Sequence, residues 1–297
     1  MGTVLKEKQV WLAFLLLSVA WGTSYMFIKI AVQTVQPVTL VALRLLIACL
    51  GLFAVLLLRR IRLPREWRIW RHLLVIGVVN VAIPFILIVW AESGASGLDS
   101  GVASIVNSTV PLFSIVIAGF LWRMERVTAA ALLGLLVGFS GVVLLLSRGL
   151  GSGGAGWLPY LAVLGAAFCY AVGSAYARRY LQGIPAVALA LGQLAVAALV
   201  ALVAALFLES WSAQAFPLPT VLALVWLGLV GSCLAYILYF FVLQRWGATR
   251  TTLVTYLVPA VGLTAGILFL NEPVDWRVLA GGALILSGVG AVNIRPS

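Results

Sequence analysis

The sequence predicts an all-α integral membrane protein of ten transmembrane helices, arranged as two inverted five-helix repeats around a central cavity. Three observations predict it: composition, a succession of apolar runs of membrane-crossing length, and an internal repeat at an offset near 148. Of 297 residues, 64% are hydrophobic and 9% are charged. Soluble domains hold about 45–50% apolar and about 25% charged residues. The surplus is too large for a soluble core, so much of the surface faces lipid.

A helix needs about 20 mostly apolar residues to cross roughly 30 Å of hydrocarbon. Such runs lie near residues 10–32, 37–58, 72–91, 99–121, 128–146, 157–179, 186–208, 218–243, 249–270 and 276–294. Turn and helix-end residues separate them, at Gln36-Pro37, Arg62-Leu63-Pro64, Ser93-Gly94, the glycine-rich stretch 151–154, Ile184-Pro185, Phe216-Pro217 and Glu272-Pro273. No connecting stretch is long enough for a soluble domain. Period-2 segments of about ten residues, the mark of a membrane β-barrel, are absent. Lys6 and Lys8 before the first run, with Ala20-Trp21-Gly22 behind it, have the look of a secretory leader. A counterpart of that segment near residue 170 argues instead for a retained span.

The net charge is +11, which on a soluble chain would suggest nucleic acid. Here the basic residues sit singly or in short clusters between apolar runs, where they act as orientation signals. With the N-terminus inside, Lys6, Lys8, Arg59, Arg60, Arg62, Arg65, Arg68, Arg71, Arg123, Arg126, Arg178, Arg179, Arg245, Arg250 and Arg295 all face the cytoplasm. Only Arg148 and Arg277 face outward, and Lys29 and Arg44 lie within spans. Both termini are therefore expected in the cytoplasm. Cys49, Cys169 and Cys233 fall inside apolar runs without metal-ligand spacing, so they read as small buried hydrophobes.

The two halves, 1–149 and 150–297, echo each other. Trp21-Gly22 and Lys29 align with Tyr170-Ala171 and Arg178; Pro37 aligns with Pro185, and Pro111 with Pro259. Glu125, Gly134 and Ser140-Gly141-Val142 align with Glu272, Gly281 and Ser287-Gly288-Val289. Five spans per unit is an odd number, so the second copy enters the membrane upside down. Inverted repeats are a recurrent construction of secondary transporters, with substrate near the midplane.

These residues resemble the EamA branch of the drug/metabolite transporter superfamily. The resemblance rests on Ala20-Trp21-Gly22, on Leu43-Arg44 with Ala48, on Pro111 fourteen residues before Glu125, on Val258-Pro259 leading to Glu272, and on the closing Ser287-Gly288-Val289. Within the branch the chain looks closest to the YddG-type exporters of aromatic amino acids. The resemblance implies a central cavity and outward export across a bacterial inner membrane. Span 6 departs from the pattern, with Tyr170-Ala171 where span 1 has Trp-Gly.

Polar groups inside a bilayer are costly and usually face the bundle interior. Ser24, Asn80, Asn107, Gln193 and Thr255 are such groups, beside Ser104, Ser108, Thr109, Ser232 and Thr252. Asn80 and Asn107 either line the site or form interhelical hydrogen bonds. Among the aromatics, Trp21, Tyr25, Tyr170, Tyr236 and Tyr239 are candidates for a cavity wall suited to flat side chains or organic cations. Trp90, Trp157, Tyr176 and Trp246 fit an interfacial belt. Arg44 lies about seven residues inside its span, roughly 10 Å deep. It either pairs with a substrate carboxylate or snorkels, and Lys29, nearer its span end, is expected to snorkel. Glu92, Asp99, Glu209, Glu272 and Asp275 all fall near outer span ends, so no buried carboxylate for a proton relay is expected.

Pro111 and Pro259 stand at matching places and would act as paired hinges if they kink their helices. Gly134, Gly138 and Gly141, echoed by Gly281 and Gly288, form small-residue stripes that let helices pack closely. The expectation is a monomeric carrier of small organic metabolites, amino acids above all, embedded in lipid and needing no cofactor, metal or nucleic acid. Efflux of cationic drugs is the rival reading, disfavoured by the lack of a buried carboxylate. An enzyme is disfavoured because His72 is the only histidine and no HExxH or GxSxG motif occurs. A channel would want a ring of charges or carbonyls.

Overall fold

The computed structural model describes residues 2–94, 97–117, 128–149, 156–210, 216–251 and 253–293. The described residues form helices joined by short connectors, without a strand. In chain order they form α1 (Gly2–Ala31), α2 (Pro37–Leu58), α3 (Trp67–Glu92), α4 (Ser100–Asn107), α5 (Val110–Ile115), α6 (Ala129–Gly149), α7 (Leu158–Tyr180), α8 (Ala186–Leu208), α9 (Leu218–Thr251), α10 (Val254–Leu270) and α11 (Trp276–Asn293). Seven of these helices are long and apolar enough to cross a membrane; the stretches Ser100–Ile115, Val254–Leu270 and Trp276–Ala291 are apolar but shorter.

Proline starts several of them. Pro37 opens α2, and Pro159 and Pro219 stand in the first turns of α7 and α9. At those places a missing backbone donor costs nothing. Large apolar side chains on the outer surface stay exposed, among them Leu50, Leu58, Leu136 and Phe207. This is the surface a bilayer covers and water would not.

Contacts run crosswise between the two halves of the chain. α2 packs on α8, and α6 on α11. α1 packs on α9 and α10, while α7 packs on α3, α4 and α5. Both α3 and α9 contain a π-helical stretch, Val78–Ala82 and Trp226–Leu234, and their first residues are separated by the repeat offset of 148. The glycine stripes meet as expected. A Cβ on Gly288 would stand 2.5 Å from the Gly134 carbonyl oxygen and the Gly138 nitrogen, and one on Gly141 would stand 2.6 Å from the Gly281 carbonyl oxygen. Gly22 has the same role in α1, where Val261 of α10 occupies the place of a side chain.

Four expectations change. The break expected between residues 243 and 249 is absent; α9 runs on through Thr251, because Gln244-Arg245-Trp246 can leave the hydrocarbon while remaining helical. Pro111 is not inside a continuous helix. The chain turns at Ser108 and Thr109, and Pro111 stands in the first turn of α5, whereas Pro259 lies within the uninterrupted α10. The two prolines therefore stand in different local settings. Lys29 does not snorkel, and Glu92 is not at the surface; both are taken up below. The expectations for Arg123, Glu125, Arg126, Thr252, Arg295 and residues 151–154, and for the side chains of Lys6 and Arg250, lie outside the described residues.

Candidate substrate-binding site

Arg44 is the centre of the site. Its side chain is buried, directed into the bundle and not toward a headgroup, so the snorkelling alternative fails. Nε donates to Ser232 Oγ at 3.0 Å and Nη2 to the Gly231 carbonyl at 3.3 Å, and the guanidinium lies 4.3 Å from the centroid of the Phe85 ring. The π-helical stretch of α9 presents both acceptors, and Gly231 leaves room for Ser24, whose Oγ a Cβ there would strike. Guanidinium carries five N–H donors; two are used, and no carboxylate hydrogen-bonds it among the described residues.

Aromatic hydroxyls surround this charge. Tyr25, Tyr170 and Tyr236 all lie within electrostatic range of Arg44, as does the Glu92 carboxyl. The Asn107 side chain sits beside the Tyr25 hydroxyl, and its Oδ1 is buried without a partner among the described residues. Asn107 ends α4, immediately before the turn at Ser108 and Thr109. Trp21 packs on Tyr239 with centroids 5.6 Å apart, and Phe240 lies 5.2 Å from Tyr239 and 6.3 Å from Tyr236. Ser24 donates within its own helix to the Ala20 carbonyl. The arrangement is a positively charged patch with free donors, walled by aromatic rings. It suits an anionic group attached to a flat apolar one.

Not every expected residue joins it. Asn80 Nδ2 donates to Gln193 Oε1 at 3.3 Å, and Asn80 packs against Gly173 of α7, so these two amides tie α3, α7 and α8 together. Thr255 lies in the first turn of α10, half-buried. Sequence reasoning missed Phe85, which looks like any apolar residue of α3, and Gly231, whose role depends on a contact 187 positions away.

Polar clasps close one end of the bundle. Lys29 Nζ donates to the carbonyls of Glu92, Gly97 and Leu98 at 3.1, 3.2 and 2.9 Å. Glu272 accepts from the backbone N–H of Ser100 and Gly101 and from Ser100 Oγ, at 2.6, 3.0 and 3.0 Å. Glu209 accepts from Val38 N, Thr39 N and Thr39 Oγ1, each at 2.7 Å. Both carboxylates sit at helix N-termini, where unpaired N–H groups and the helix dipole favour negative charge. Arg148 bridges Asp99 at 2.8 Å and Asp275 at 3.2 Å. At the other end, where α1 begins and α2 finishes, a groove of about 560 Å³ opens between Leu12, Arg59, Val187, Phe240 and Gln244. Phe240 belongs both to this groove and to the aromatic cluster.

A buried cation among aromatic rings, with no carboxylate hydrogen-bonded to it among the described residues, inside a bundle of membrane-crossing helices, fits a membrane transporter. A family model supports the same class twice over. The EamA-like transporter family matches residues 9–147 and again 157–294, and the chain belongs to that family. Its members are transporters and not enzymes. The chain is 29% identical over 273 residues to the uncharacterized inner membrane transporter YedA of Escherichia coli (strain K12), covering 90% of this chain and 86% of that one. It is 27% identical to the uncharacterized transporter YvbV of Bacillus subtilis (strain 168), covering 96% and 90%. It is 26% identical to a probable amino-acid metabolite efflux pump of Salmonella typhimurium (strain LT2), covering 93% and 91%. A solved crystal structure of a protein shares the fold at TM-score 0.68 and 23% identity, covering 96% of both chains.

Proposed function

We propose that the chain exports amino acids, aromatic ones among them, by alternating access across a bacterial inner membrane, with Arg44 holding the substrate carboxylate. The observation that carries this reading is Arg44 itself. A cation so buried costs several kcal/mol unless something compensates it, and no carboxylate of the described residues is bonded to it. A substrate carboxylate is the natural partner, and Tyr25, Tyr170, Tyr236 and Phe85 offer the flat apolar contact an aromatic side chain needs. One relative's name, an amino-acid metabolite efflux pump, agrees with it.

In this reading the chain comprises two five-span units, 1–149 and 150–297, inserted in opposite senses, with both termini cytoplasmic and the monomer as the working form. The crosswise packing, the π-helical stretches one repeat apart and the two family matches support it. The clasped end is then the outer one, and the open groove faces the cytoplasm. Trp21, Ser24 and Tyr239 wall the site. Asn80, Gln193 and Thr255 border it, and Pro111, in the first turn of α5, and Pro259, within α10, act as hinges.

Counterflow of labelled tryptophan in proteoliposomes tests the assignment. Wild-type protein preloaded with tryptophan should accumulate label, and Arg44→Met should reduce the initial rate by tenfold or more. Equal rates in the two proteins would remove Arg44 from the site. Accumulation of an organic cation in place of tryptophan would favour drug efflux.

A further inference from the structure

We infer that Glu92 is a proton-binding group linked to the outer clasp: closing that end takes up one proton at its carboxylate, and opening releases it. The inference rests on the transporter reading for its consequence and on geometry for its substance.

Glu92 ends α3 and is 0% exposed, and neither carboxylate oxygen has a hydrogen-bond partner among the described residues. An ionised carboxylate in that place costs several kcal/mol. A neutral acid forgoes only an ordinary hydrogen bond, about 1–3 kcal/mol. Lys29 and Arg44 lie within electrostatic range of the carboxyl, but no group from the neighbouring elements hydrogen-bonds either of its oxygens among the described residues. Lys29 of α1 spends its three N–H donors on three carbonyls, one of them the Glu92 backbone. Arg44 of α2 is turned to Ser232 and Gly231. Tyr25 of α1 stands beside Asn107. Glu272, which also faces Glu92, repels it and is held by Ser100 and Gly101. Asp99, ahead of α4, is bonded to Arg148, and Tyr160 of α7 lies with that pair. The neutral carboxylic acid is the form this place accommodates.

The seal over Glu92 is the clasp itself. The connector after α3 folds back so that Leu98 N donates to the Ala91 carbonyl at 2.8 Å, and Lys29 pins Gly97 and Leu98 across it. Parting α1 from this connector would admit water to the carboxylate, and a hydrated glutamate is ionised at neutral pH. Closure therefore converts –COO⁻ and one proton from the outer water to –COOH, with no other bond made or broken. Acid on the outer side holds the end shut.

Two measurements test this, one of which needs no substrate. Infrared spectra of the purified protein in lipid nanodiscs at pH 7 should contain the carbonyl stretch of a protonated carboxylic acid, and Glu92→Gln should lack it. A wild-type spectrum without that band, or a band that persists in Glu92→Gln, overturns the inference. Tryptophan counterflow is the second. Its wild-type rate should rise with pH by up to about tenfold per unit, the limit for one proton. Glu92→Gln, fixed in the neutral form, should be pH-independent at the acid-limit rate, and a variant that keeps the wild-type pH profile refutes the linkage. Wild-type protein without any counterflow would count against the amino-acid reading, and the infrared band, readable on wild type alone, then decides for Glu92.

Discussion

Replacing Gly288 by alanine should destabilise the bundle far more than one methyl group suggests. The new Cβ would stand 2.5 Å from the Gly134 carbonyl oxygen, 2.5 Å from the Gly138 nitrogen and 2.6 Å from the Gly138 Cα. All three are backbone atoms of α6, so no side chain can swing aside, and the helices must separate by roughly 0.5–1 Å. A gap of about that size forfeits a quarter to a half of each dispersion contact it opens, and overpacked sites lose about 1–3 kcal/mol. Gly282→Ala is the control on the same helix. Its nearest atom would be Ile105 Cδ1 at 3.4 Å, an ordinary contact with a flexible side-chain end. Gly165→Ala, with only Leu87 at 3.6 Å, should be neutral or gain up to about 1 kcal/mol from helix propensity. Reversible unfolding in mixed detergent micelles would rank the three variants. If Gly288→Ala and Gly282→Ala unfold together, the close approach of α6 and α11 does not exist as described.

Other substitutions probe the clasps and the amide pair. Glu209→Gln loses the charged partner of two N–H groups and a hydroxyl at the start of α2, and should cost about 1–3 kcal/mol in the same unfolding assay; an unchanged midpoint would show that Glu209 does not cap α2. Asn80→Ala and Gln193→Ala, singly and together, should give a coupling energy of about 0.6–1.7 kcal/mol, the range for interhelical hydrogen bonds in membranes. Additive effects would place the two amides out of contact. Arg44→Lys should bind tryptophan more weakly than wild type by isothermal titration, because an ammonium cannot reach Ser232 and Gly231 while offering a bidentate fork. Equal affinity would argue against a bidentate carboxylate.

Composition and run length carried the helices, since a chain this apolar has few alternatives to them. Spacing likewise predicted the glycine contacts, because Gly134, Gly138 and Gly141 form a stripe that only a helix surface creates. The cluster of Tyr25, Arg44, Tyr170 and Tyr236 was legible as a set of costly groups at depth. What could not be read was direction. Lys29 and Glu92 look like span-end residues by position; what encloses the Glu92 carboxyl is Leu98 bonding back to the Ala91 carbonyl and Lys29 reaching three backbone carbonyls, contacts no residue type announces. The extension of α9 past Gln244 was missed for a related reason. Polar residues end a hydrophobic run, but here neither they nor Gly247 end the helix.

The two π-helical stretches have a mechanical corollary. A π turn holds one residue more than an α turn, so tightening it to α geometry rotates everything beyond it by about 100° relative to what precedes it. In α9 the stretch Trp226–Leu234 contains Gly231 and Ser232, the two groups that grip Arg44, and Tyr236 and Tyr239 follow directly. A single winding step would thus let go of the arginine and turn both tyrosine rings at once, without unfolding a turn. Deleting one residue from this stretch should remove the wide turn while leaving Tyr236 and Tyr239 on their present face, so the helix could no longer take that step.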